Sequence, residues 1–244
     1  MTNATLPRAG RRITDPPSVT ALAADALRAM IMDGELLPGD RVVESRISEA
    51  LGVSRPPLRE AMRVLEQEGL LLQLPRRGAI VTPMGIQDVY EIVTLRDQLE
   101  EMAVRIGVPV TDAGRLENLR TALENLENNA RDDSERTAVQ DSYAFHLALV
   151  ELSGHRRLIE AYRGQSMQLR MCMGLNRRAR AHEESLIQRA ARHRALFAEV
   201  EKGDVDAVLR SLHGSGSRTF LGELDSTLEP GSPEAMAWLT RATS

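Results

Sequence analysis

Two adjacent prolines, Pro56 and Pro57, constrain this chain most tightly; they sit in the stretch LGVSRPPLREAMRVLEQEGLL from Leu51 to Leu71. Proline lacks a backbone N–H and has a fixed φ. It breaks a helix interior but suits the first turn, where N–H groups have no intrahelical partner anyway. Ser54, just before them, is a natural N-cap residue, so a helix starts here. Leu58, Ala61, Met62 and Leu65 then form one apolar stripe, while Arg55, Arg59 and Arg63 recur at i, i+4 and i+8 on another face. The result is a rigid helix presenting arginines at its N-terminal end.

The flanking segments give that helix a context. Val19, Leu22, Ala23, Ala26, Leu27 and Met30 predict a first helix ending near Gly34. A Pro-Gly turn in LLPGDRVV and a few β-favouring residues follow. A second helix with Ile47 and Leu51 inward then stops at Gly52. The short turn LGVS leads into the third helix, an arrangement that sets a recognition helix end-on in the DNA major groove. There the arginine fork can grip guanine O6 and N7, or phosphate. Two β-type runs in GLLLQLPRRGAIVTP predict a hairpin with Arg76 and Arg77 at its tip and Gly78 easing the turn. Arginine rows and basic hairpin tips are each common on solvated surfaces; their order, three helices and then a wing, makes the pattern informative.

Composition narrows the partners. The 31 Lys and Arg against 35 Asp and Glu give a net charge of −4, which argues against a wholly basic nucleic-acid coat but permits a local basic surface. A single cysteine, Cys172, excludes an internal disulfide framework. No secretory leader or membrane-spanning apolar run is visible, so the expectation is a cytoplasmic protein with no membrane partner. Residues 1–17 lack apolar periodicity and carry three prolines, which predicts a flexible arm whose Arg8, Arg11 and Arg12 either reach DNA phosphate or stay solvated.

Beyond Pro83 every pattern is helical. Helices are expected at about 86–106, 112–131, 135–153, 156–175, 183–202 and 204–224, followed by a loose tail with a short helix around Trp238. The fold class is therefore mainly α: an N-terminal winged helix-turn-helix with a small β-hairpin, and a C-terminal all-α bundle. The domain expectation is a flexible arm at 1–17, a DNA-binding domain at 18–83, an effector-binding and dimerisation domain at 84–226, and a tail at 227–244.

Periodicity also places polar residues inside that bundle. Arg96 falls in the stripe of Val89, Ile92, Val93, Leu99 and Ala103, and a buried guanidinium needs an acceptor. Either Glu100, one turn on, supplies it, or Arg96 anchors a carboxylate ligand. His146 shares a face with Ser142, Tyr143 and Val150, and His193 sits among Leu186, Ala190, Leu196 and Phe197, so two imidazoles face inward. Met167, Arg170, Met171 and Gly174 read as core packing, with Arg170 a possible second anion anchor.

The segment GELLPGDRVVESRISEALGVSRPPLREAMRVLEQEGLLLQLPRRGAIV resembles the winged helix-turn-helix of the GntR family of bacterial transcription regulators across nearly every position from Gly34 to Val81. The resemblance implies DNA contacts by Arg46, by Ser54, Arg55 and Arg59, and by Arg76, Arg77 and Gly78 in the wing. LRDQLEEMAVRIG, FHLALVELSGHRRLIEAY and RHRALFAEVEKGDVDAVLRSLHGS are similar to the helical FCD ligand-binding domain of the family's FadR subgroup. That implies an effector pocket, and homodimers on an inverted-repeat operator. Many members of the subgroup bind a divalent metal through an Asp four residues before the first His, that His, and two later ones. Here Ser142 stands in the first position, with Asp141 beside it, and Ser215 in the last. His213 lies two residues earlier, about 200° around the helix. His146 and His193 remain the metal candidates, short of the roughly four ligands zinc takes in closed sites.

The expected function is a ligand-responsive, sequence-specific DNA-binding regulator, a repressor sensing a small organic acid. Arg96, Ser142, His146, His193 and Ser215 are the ligand candidates, and no cofactor is required. The alternatives are a DNA-binding dimer whose helical domain only dimerises, and a metal-dependent helical enzyme. No nucleophile elbow or phosphate loop supports the enzyme.

Overall fold

The computed structural model describes residues 17–75, 78–132, 137–179, 184–214 and 229–243. Most of the N-terminal arm, Arg76 and Arg77, and Ser215 lie outside these ranges. The chain opens with α1 (Val19–Met32), whose N-cap Ser18 hydroxyl accepts from the Ala21 N–H at 3.1 Å. β1 (Arg41–Val42), α2 (Glu44–Leu51) and α3 (Arg55–Gln67) follow, then β2 (Leu71–Leu74) and β3 (Gly78–Val81). The strands form an antiparallel sheet in the order β1-β3-β2, so the short run before α2 pairs with the wing hairpin. Leu74 is in register with Gly78, and Gly78 takes φ +80°, a conformation glycine adopts without strain. α2 ends on Gly52 at φ +63°, and Leu27, Leu58, Ala61 and Leu65 are sealed between α1 and α3.

The remaining described helices are α4 (Ile86–Gly107), α5 (Ala113–Arg131), α6 (Ala138–Glu151), α7 (Arg156–Gly164), α8 (Ser166–Ala179), α9 (Leu186–Lys202), α10 (Val205–Gly214) and α11 (Pro233–Thr243). The single helix expected at 156–175 is two: α7 stops at Gly164 with Gln165 as its C-cap, at a residue with poor helix propensity. Leu119, Leu123, Phe145, Leu149, Phe197 and Val208 make one core between α5, α6, α9 and α10. Ala103, Tyr143, Val150, Leu158 and Tyr162 make another around α4, α6, α7 and α8.

The two halves are fused by a continuous core rather than tethered. Leu27, Met32 and Val81 from the winged half share one cluster with Val89 and Val93 of α4 and Met171 and Leu175 of α8. Gly174 permits the close approach, since a Cβ there would lie 2.9 Å from the Met32 carbonyl oxygen. The short helix expected around Trp238 is present as α11, but it is packed into the core rather than loose. Ala235, Trp238 and Leu239 of α11 are buried in this same cluster, and Trp238 packs on Tyr90 of α4 with ring centroids 5.4 Å apart. The Ile86 N–H donates to the Glu229 carbonyl at 3.0 Å, and Ser232 N–H to Gln87 Oε1 at 2.9 Å, clamping the segment onto the start of α4. Among the described residues, no helix is long and apolar enough to cross a membrane.

Candidate DNA-reading face and effector site

Arg46 on α2 and Ser54, Arg55 and Arg59 on α3 are all exposed, as is Gly78 at the wing. Ser54 occupies the N-cap position with extended backbone (φ −74°, ψ 161°), yet its hydroxyl caps nothing. The reason is covalent: an N-cap oxygen accepts from the second or third helical N–H, and Pro56 and Pro57 occupy those positions without one. The hydroxyl is therefore left to face solvent. Arg59 is not free either, since its Nε donates to both Glu44 carboxylate oxygens at 2.9 and 3.1 Å. DNA contact by Arg59 requires that exposed pair to open, a small obstacle because such pairs are worth about 0–1 kcal/mol. Arg63, third in the row, pairs with Glu60.

The second site is built on α4 and α6. Arg96 and Glu100, one turn apart on α4, are both buried, and Arg96 Nε donates to Glu100 Oε1 at 2.8 Å. The acceptor that a buried guanidinium demands is thus Glu100. Tyr162 of α7, wholly buried, donates its hydroxyl to the same oxygen at 2.7 Å. Periodicity did not single out this tyrosine, although Leu158 and Tyr162 do share an i, i+4 stripe. Burial opposes the charge on Glu100, but the neighbouring Arg96 outweighs it and holds the carboxyl well below its usual range. Arg96 is correspondingly raised: burial opposes its charge and Glu100 overcomes that cost. Among the described residues, the two terminal amino groups of Arg96 donate to nothing, and they are not sealed from solvent.

His146 of α6 brings Nδ1 to 3.2 Å from Glu100 Oε1, but out of line for a hydrogen bond. Burial lowers its pKa below the ordinary histidine value; the Glu100 carboxylate opposes that shift and Arg96 adds to it. His193 of α9 lies beside it, ring centroids 5.4 Å apart. Its Nδ1 is 2.8 Å from the Arg189 carbonyl, which can only accept, so Nδ1 carries the proton. Nε2 is then a lone-pair acceptor, 3.3 Å from the Ser142 hydroxyl. Burial first, and then His146, lowers the His193 pKa to about 3. Arg96, Ser142, His146 and His193 thus converge around a centre with one cation, one anion and two neutral imidazoles.

Asp141 turns away and accepts from Asn129 Nδ2 at 2.9 Å on α5, and His213 is exposed on α10. Among the described residues, no three His, Cys, Asp or Glu side chains come together to hold a metal. Arg170 belongs elsewhere: burial lowers its pKa, and its charged and ionisable neighbours are Asp33 at the end of α1, Tyr143 and Arg28.

An arginine-edged recognition helix with a wing, welded to a helical body that encloses a polar centre, defines a DNA-binding regulator with a sensing domain. The chain belongs to the GntR family of bacterial transcription regulators. Residues 20–81 match the family described as bacterial regulatory proteins, gntR family, and residues 91–214 match the FCD domain. It is thus a transcription regulator, and the enzyme alternative finds no support. The chain is similar to the uncharacterized HTH-type transcriptional regulator YdhC of Bacillus subtilis (strain 168), at 34% identity over 74% of this chain and 80% of that one. It is 26% identical to the gluconate operon transcriptional repressor of Bacillus licheniformis over 77% of each. Its fold resembles the crystal structure of a putative GntR transcriptional regulator from Rhodococcus sp. RHA1, with a TM-score of 0.64 and 24% identity over 84% of this chain and 99% of that one.

Proposed function

We propose that this regulator is a cytoplasmic homodimeric repressor that binds an inverted-repeat operator and responds to a small organic acid, without a metal. The winged half (18–83) reads DNA through Arg46, Ser54, Arg55, Arg59, Arg76, Arg77 and Gly78. The helical half (84–226) holds the acid and carries the dimer contact. The observation that supports the ligand class is Arg96: Nε is committed to Glu100, while its terminal amino groups remain available in a largely buried site. A carboxylate is the natural partner for that face of a guanidinium. Ser142, Ser215 and the imidazoles of His146 and His193 supply hydrogen bonds of either sense. The similar gluconate operon regulator is named a repressor, which supports the same direction of control here.

The test begins with operator selection from random DNA, followed by binding titrations with and without a panel of small carboxylates. Arg96→Ala should retain operator affinity and lose the response. Stoichiometric metal after purification without chelators, with carboxylate affinity lost on chelation, would overturn the metal-free reading.

A further inference from the structure

We propose that Arg170 is the positioning residue that carries a change at the Arg96–Glu100 site to the DNA-reading half. The inference rests on the acid-sensing role proposed above and names the route by which the two halves communicate. Arg170 stands on α8 and is half-buried, and its Nε is sealed from solvent with no hydrogen-bond partner among the described residues. A buried donor normally has a partner, since desolvation without one costs free energy. Without that bond, the place of this guanidinium is set by the charges around it. Those charges come from both halves of the chain.

One flank of Arg170 leads to the sensing site. Tyr143 of α6 is among the groups that act on it, and Tyr143 stacks on Tyr162 with ring centroids 5.9 Å apart and planes 18° from parallel. Tyr162 in turn donates to Glu100 Oε1 at 2.7 Å, the oxygen that also accepts from Arg96 Nε. A carboxylate seated on the terminal amino groups of Arg96 competes with Glu100 for the same guanidinium. More of the Glu100 charge then falls to the Tyr162 hydroxyl, and the stack hands any shift of that ring to Tyr143.

The other flank leads to the reading half. Asp33 is buried and closes α1 as its C-cap, so a carboxylate and the negative pole of a helix end act on Arg170 together. Little slack exists here, because Gly174, one turn beyond Arg170, lies directly against the Met32 carbonyl. Arg28 of α1, which also acts on Arg170, forks onto Glu68 through Nε and Nη2 at 2.9 and 2.7 Å. Glu68 is the C-cap of α3, so a push on the end of α1 arrives at the recognition helix. The apolar core shared by the two halves transmits movement without regard to charge. Arg170 makes the transmission depend on a charge, and a substitution separates the two.

Operator titrations of the full-length protein test the route, with acetate, malate and citrate as the probes: a mono-, a di- and a tricarboxylate. At least one of them should change the operator affinity of wild type by about fivefold or more. The same acid should change that of Arg170→Met by less than about twofold, the margin within which independent effects add. Calorimetry without DNA should show the acid binding both proteins equally, and the thermal melt of the variant should be unchanged or higher, since a poorly bonded charge has left a half-buried site. Linkage supplies a second readout: operator DNA should change the affinity of wild type for the acid by the same factor and leave that of Arg170→Met unchanged. Arg170→Lys keeps the charge and should keep the response. A full response in Arg170→Met would overturn the route and leave acid sensing standing, and a lysine variant as silent as the methionine one would refute the role of charge. Loss of acid binding itself in Arg170→Met would put Arg170 in the sensing site rather than beyond it, which also overturns the proposal. A wild type deaf to all three acids would bring down the acid-sensing reading and the route together.

Discussion

Replacing Glu100 with alanine leaves Arg96 without its counter-charge and Tyr162 without its acceptor, since both donate to the same carboxylate oxygen. Breaking a buried ion pair by removing one partner costs about 3–5 kcal/mol, because the remaining charge stays desolvated. The low end of that range is expected, since the terminal amino groups of Arg96 keep access to water. For a chain of this length, each kcal/mol moves the melting temperature by about 2–4 °C, so the loss should be about 6–12 °C at 3 kcal/mol. Glu100→Gln keeps an oxygen for Tyr162 and removes only the charge, and should fall between wild type and alanine. The pH dependence adds a check with a definite sign. The folded-state pKa of Glu100 is depressed below its ordinary value of 4.5, so its contribution is present above that value and fades as pH falls below it. The gap between wild type and alanine should be constant from pH 7 to 5 and narrow in more acid solution. Urea titration and calorimetry measure it. A gap under about 1 kcal/mol at pH 7 would mean that Arg96 is hydrated in the fold and that its pairing holds nothing together.

Three further outcomes follow from the geometry. Ser54→Ala should change the melting temperature little, where a capping serine would cost about 1 kcal/mol, yet it should weaken operator binding; a typical cap-sized loss of stability would show the hydroxyl is bonded after all. His193 has a folded pKa of about 3 against an ordinary 6.5, so the unfolded chain binds the extra proton between those values and stability falls on acidification through that window. The loss attributable to this ring reaches up to about 2 kcal/mol at pH 5, lessened by its partial exposure, and His193→Asn should flatten the profile. Trp238→Ala removes a buried ring from the junction and should cost about 3–5 kcal/mol, read as lost hydrogen-exchange protection in α1 and α4 together; protection lost in α11 alone would show that the junction does not depend on it.

Features that a turn or two of chain can encode were legible before any fold was known. Pro56 and Pro57 set the start of α3 because their missing N–H groups are a covalent fact, and the same fact makes Ser54 a cap without a bond. The stripe through Val89, Val93 and Ala103 turned Arg96 inward, since helical periodicity assigns faces whatever lies across from them. Glu100 was visible as its partner because i, i+4 residues meet on one helix. Contacts between segments far apart in the chain emerged only from packing. Tyr162 reaches Glu100 across 62 residues, and Ser232 reaches Gln87 across 145. Asp141 turned toward Asn129, and Glu44 took hold of Arg59, through helix packing that no single helix specifies. The short helix expected around Trp238 became a core element, α11, for the same reason: Ala235, Trp238 and Leu239 carry too short an apolar pattern to declare burial. Only the surface presented by α4 and the winged half makes their burial outweigh the entropy of ordering the segment.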